Sequence, residues 1–152
     1  MHRRAGALLL IVFGSASGCV AQPVGPVSDA AGYGAKAAVT VEAVRSAVAS
    51  TRLAGRGELD GRTFRAYAEQ VADDAAATVQ TAQDTFESIA PPDEASRPVR
   101  VGVLDAVAAA RRAVVDTRAA LQGDDPDALR TTVDALDPVA DRLEALDREL
   151  GG

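Results

Sequence analysis

Few side chains in this sequence could carry chemistry near neutral pH, and they lie in four places. These are the thiol of Cys19, the amine of Lys36, the carboxylates of Asp124-Asp125-Pro126-Asp127, and the guanidinium groups of Arg111, Arg112 and Arg118. Cys19 and Lys36 are each the sole residue of their type, and the single histidine is His2. A serine–lysine pair would need Lys36 in a Ser-x-x-Lys context, which the surrounding GYGAKAA does not supply. The Asp124–Asp127 run could suggest calcium. It lacks the alternating oxygen ligands, mid-loop glycine and distal glutamate of an EF-hand, and carboxylates beside a proline suit a helix start. Asp73-Asp74 reads as a solvated helix face. Arginines grip carboxylates or phosphates in bidentate fashion, but acidic segments of the same chain can equally take Arg111, Arg112 and Arg118. Di-iron bundles need Glu-x-x-His pairs, and no histidine follows residue 2. These residues assign no catalytic, cofactor-binding or metal site, and the chain is expected not to be an enzyme.

Cys19 stands apart because of what precedes it. MHRR, an apolar run from Ala7 to Phe13 and the small residues GSASG form a basic, then apolar, then small-residue series, so residues 1–18 read as a secretory signal peptide. The apolar run is about half of the roughly 20 residues that cross a bilayer. Ordinary cleavage, for instance after Ser17, would leave a free thiol in an oxidising compartment. The alternative is that Ala16-Ser17-Gly18-Cys19 resembles a bacterial lipobox, with Ala16 where leucine is usual. That resemblance implies a diacylglycerol on Cys19, cleavage before it and a palmitate-type acylated N-terminus. Lipidation of Cys19 accounts for the apolar run, the small residues and the lone thiol together. Two acyl chains hold a protein stably where one is marginal. Arg3-Arg4 is followed by AGA and lacks the rest of a twin-arginine signal.

Residues 19–152 then carry 14 basic and 22 acidic side chains, a net of −8. Such a chain is a poor partner for nucleic acid, whose binding rests on phosphate neutralisation. Anionic headgroups would also repel it, so the expected membrane attachment is the anchor on Cys19. One domain suits this length.

Residues 19–34 read as a lipidated N-terminus and flexible tether, since VAQPVGPVSDAAGYG mixes Pro23, Pro26 and three glycines without apolar periodicity. Residues 35–150 show four segments with apolar or small residues at helical spacing. The first, 35–54, aligns Ala37, Val41, Val44, Val48 and Thr51 and is broken by GRGELDG. The second, 62–90, aligns Phe64, Ala68, Val71, Ala75, Thr78, Ala82, Thr85 and Ile89, with Asp60 as an N-cap candidate and Pro91-Pro92 as the stop. Phe64 falls on this seam, with Tyr67 and Phe86 on its flanks. The third, 98–121, aligns Val103, Val107, Ala110, Val114, Thr117 and Leu121. The fourth opens at Asp125-Pro126 and aligns Leu129, Val133, Leu136, Ala140, Leu143, Leu146 and Leu150. Asp137-Pro138 could start a new helix, but the register carries across it and favours one kinked helix. The expected fold is all-α, an antiparallel up-down four-helix bundle preceded by a signal peptide and tether. Spans 29–56, 58–89, 93–121 and 124–150 carry nets of +2, −5, +1 and −6, so signs alternate between helices that would be neighbours.

With its lipobox-like tetrapeptide, Pro/Gly tether and four helical segments split at Pro91-Pro92 and Gly123-Asp124-Asp125, the chain resembles the small helical-bundle lipoproteins of actinobacteria. The resemblance implies an extracytoplasmic, membrane-anchored location and a bundle fold, without an activity. The leading expectation is a membrane-anchored envelope lipoprotein acting as a non-enzymatic binding or interaction module, an envelope protein of unknown identity being the candidate partner. The alternative is a small-molecule-sensing four-helix ligand-binding domain. A polar pocket between helices would favour sensing, and a solid core with an exposed apolar groove would favour partner binding.

Overall fold

The computed structural model describes residues 29–151; the expected signal peptide, Cys19 and most of the expected tether lie outside them. The described chain is helical: α1 Ala30–Leu59, α2 Arg65–Glu87, α3 Arg97–Gln122, α4 Pro126–Asp134 and α5 Leu136–Leu150.

Helix α1 begins five residues earlier than the expected boundary at residue 35. The Asp29 carboxylate accepts from the Gly32 N–H at 2.7 Å and caps the helix. Tyr33 then continues the Ala37–Val41 row backwards by four residues, is buried, and packs its ring 5.4 Å from that of Phe86. The helical region therefore starts before residue 35, because burying an aromatic ring outweighs the poor helix propensity of Gly32 and Gly34. At its other end α1 runs through GRGEL, which was expected to break it. Gly55 and Gly57 are both buried there, and a Cβ on Gly55 would lie 2.5 Å from Val133 Cγ2. Close packing requires these glycines. The true stop is Gly61, at φ +66, beyond Asp60. Asp60 is the C-cap of α1 and not an N-cap of α2.

Helix α2 corrects its expected register. Its buried residues are Ala68, Ala72, Ala75, Val79 and Phe86. Phe64 is 87 % exposed, whereas the supposed flanking residue Phe86 is fully buried. The apolar and small residues of this segment cover a broad arc, and the core uses one edge of it. Where α2 ends, Arg100 donates to the free carbonyls of Ile89 at 2.5 Å and Glu87 at 2.9 Å. Asp93 then accepts from both the N–H (2.8 Å) and the hydroxyl (2.7 Å) of Ser96, holding the entry to α3.

The rows expected on the first and third segments are buried throughout. In α4 and α5 the row runs through Leu129, Val133, Leu136 and Leu143, with Ala140, Leu146 and Leu150 half-buried. One residue, Ala135, interrupts it. Pro138 has no N–H to give the Asp134 carbonyl, so the helix breaks without losing its face.

Contacts between α1 and the α4–α5 stretch run in opposite order along the two. Arg45 meets Asp147 at 4.0 Å and Arg52 meets Asp137 at 3.0 Å across α1 and α5, while Gly55 abuts Val133 of α4. Helices α1 and α3 touch each other, and α2 approaches neither α4 nor α5. The section is thus a rhombus, with α1 and α3 on its short diagonal and α2 and α5 at its far corners. Alanine and valine dominate the core. Their small size lets α1 and α3 come together, at the expense of apolar area per contact. A second, smaller cluster of Ala54, Ala68, Ala72, Leu121, Leu129 and Val133 fills the end where α1 stops and α4 starts.

Candidate functional site

The groups singled out by type are scattered. Lys36 is half-buried on α1. Asp125 caps α4, its carboxylate accepting from the N–H groups of Asp127 (2.9 Å) and Ala128 (3.2 Å). Asp124 pairs with Arg65 at 3.2 Å and Asp127 with Arg130 at 2.7 Å, so the acidic run serves a helix start and its surroundings. Among the described residues no three His, Cys, Asp or Glu side chains gather as a metal-binding group would. Of the arginines, Arg118 pairs with Asp73 of α2. Arg111 and Arg112 are exposed and form no ion pair among the described residues.

Ion pairs follow the alternation of charge. Arg52 and Arg56 both grip Asp137, at 3.0 and 2.7 Å, and Arg45 reaches Asp147. A hydrogen bond from Arg45 to Glu42, together with its charge, raises the guanidinium further above its ordinary pKa. Each pair is partly exposed and contributes at most about 1 kcal/mol. Their arrangement matters more. All three arginines lean toward α5, which strips charge from the other side of α1.

That other side forms the most distinctive surface of the molecule. Along α1, Val39, Ala43, Ser46, Ser50 and Leu53 follow spacings of 4, 3, 4 and 3 without a charge among them. Along α2, Tyr67, Val71, Asp74, Thr78 and Thr81 do the same, with one carboxylate. Between the two rows runs a shallow groove. It widens near the end of α1 into an open cleft of about 500 Å³ bordered by Leu53, Ala54, Arg62, Tyr67 and Val71. Leu53 is 74 % exposed, Tyr67 62 % and Val39 53 %. Isolated exposed apolar residues are ordinary; Leu53 and Tyr67 together border one cleft, which makes this face the candidate contact surface.

Sequence reasoning placed three residues of this surface in the core. Phe64, Val71 and Thr78 were assigned to the α2 seam, and only the alternate members of that row, Ala68 and Ala75, are buried. The overlooked signal was the width of the stripe. A helix with one buried face does not need the outer row as well.

No protein-family model, curated protein or solved structure matches the chain.

Proposed function

We propose that this protein is a lipid-anchored envelope protein, held outside the cytoplasmic membrane through acylated Cys19, whose up-down four-helix bundle is a non-enzymatic interaction module. The outer α1/α2 face is its contact surface. The observation that carries this reading is the double row, with Asp74 its one charge and Val39, Leu53 and Tyr67 exposed along it. The opposite order of contacts between α1 and the α4–α5 stretch supports the up-down topology. The alternative reading, small-molecule sensing, needs a polar pocket between the helices. The buried interior is instead lined by packed Val, Ala, Leu, Tyr33 and Phe86, and the clefts open outward. The all-helical fold is the one that the resemblance to small actinobacterial bundle lipoproteins implies.

Two measurements on the full chain in its own envelope test the proposal. Cys19→Ser should move the protein from the membrane fraction to the soluble one. A wild-type chain that is soluble, with an unmodified N-terminus downstream of Cys19, removes the anchor. A photo-crosslinking residue at position 53 should give adducts that the same residue at position 142, on the exposed side of α5, does not. Equal adducts from both positions remove the face.

A further inference from the structure

We infer that the outer α1/α2 face pairs with the same face of a second copy of this chain, the two bundles standing parallel. This rests on the anchored interaction-module reading and names its partner.

The pattern on the face is the first argument. Spacings of 4, 3, 4 and 3 on two adjacent helices are what a bundle seam uses. The α1 row of Val39 to Leu53 and the α2 row of Tyr67 to Thr81 look outward, so they form half of a second seam. An identical hairpin supplies the other half. Ala43, Ser46 and Ser50 are small enough for helices to approach closely along it.

Charge is the second argument. With a two-fold axis along the helices, α1 of each copy lies beside α2 of the other. On the face itself the α1 row carries no charge and the α2 row one carboxylate, so this pairing sets no like charges opposite each other. Asp74 is the single carboxylate in the rows, and it lines the same stretch of groove as Ser46 and Ser50. A parallel second copy brings its own Ser46 and Ser50 to that height, where their hydroxyls can donate to the carboxylate.

The anchor is the third. Asp29 follows Cys19 by ten residues, a reach of at most about 35 Å. Copies tethered so closely to one bilayer surface stand the same way up, which selects the parallel arrangement. A two-fold interface also closes on itself and leaves no open end.

The test places a photo-crosslinking residue at position 50 of the full chain in its own membranes. The expected product has twice the mass of the chain, contains only this chain's peptides, and is lost when Ser46→Glu is added. Ser46 is exposed, so helicity measured by circular dichroism should survive that change. An adduct with a different protein overturns the second copy while leaving the interaction module standing. Absence of any adduct at position 50 overturns both. A doubled-mass product of equal yield from position 142 overturns the pairing face, since crowding alone would give it.

Discussion

Adding one methyl group at two helical glycines should move stability in opposite directions. Gly102 lies inside α3, and a Cβ there would meet nothing within 4 Å. Gly102→Ala therefore keeps only the helix-propensity gain, about 0.8–1 kcal/mol. Gly55→Ala has the same gain, but its Cβ would lie 2.5 Å from Val133 Cγ2, far inside the contact distance between carbon atoms. Val133 cannot swing away cheaply. It is fully buried among Leu121 and Leu129, and a β-branched side chain in a helix has essentially one χ1 rotamer. Overpacking of this kind costs about 1–3 kcal/mol. Subtracting the propensity gain leaves Gly55→Ala destabilised by up to about 2 kcal/mol. Urea denaturation of wild type, both single variants, Val133→Ala and the Gly55→Ala/Val133→Ala double variant measures this. In the Gly55→Ala background, Val133→Ala should cost less than in wild type, with a coupling of at least about 0.5 kcal/mol. If Gly55→Ala stabilises as much as Gly102→Ala, or the cycle shows no coupling, then α4 does not press on α1 at Gly55 and the smaller core is wrongly described.

Phe86→Ala should destabilise by about 3–5 kcal/mol, as removal of a buried aromatic does, and Phe64→Ala by no more than about 0.5 kcal/mol; thermal melts of the two variants settle which phenylalanine is in the core. Val114→Asp should cost several kcal/mol by placing a carboxylate at a fully buried position, enough to unfold a domain with about 5–15 kcal/mol in total, while exposed Arg111→Ala should stay within about 1 kcal/mol. Asp93 titrates below the ordinary carboxylate value because the Ser96 hydroxyl and then the Ser96 N–H donate to its charged form. A lowered folded pKa means its contribution is complete above about pH 4 and disappears as pH falls through the folded value, so the stability gap between wild type and Asp93→Ala should close on acidification in urea titrations, and a gap that widens would refute the assignment.

Three of the four helical rows could be read from spacing because each has one apolar edge bordered by charge. On the third segment Arg111, Arg112 and Arg118 flank Val107, Val114 and Thr117, so only one face can turn inward, and it does. The second segment has no such border. Between Ala66 and Thr85 alanine, valine and threonine occupy two neighbouring rows, and periodicity alone cannot choose between them. The choice is made by Phe86, whose ring must reach Tyr33. Tyr33 in turn lay inside a Gly-rich stretch that composition assigned to the tether. One long-range aromatic contact thus decided both the start of α1 and the rotation of α2, and no window short enough to show periodicity contains both rings. The candidate site follows from that rotation. With Phe86 turned in, Tyr67 lies exposed across the cleft from Leu53, Val71 is half-buried beside them, and Phe64 is exposed just before α2. Phe64 and Val71, which spacing assigned to the core, belong instead to its outer side. A surface of this kind is visible in sequence only as surplus, an apolar stripe wider than a single helix seam needs.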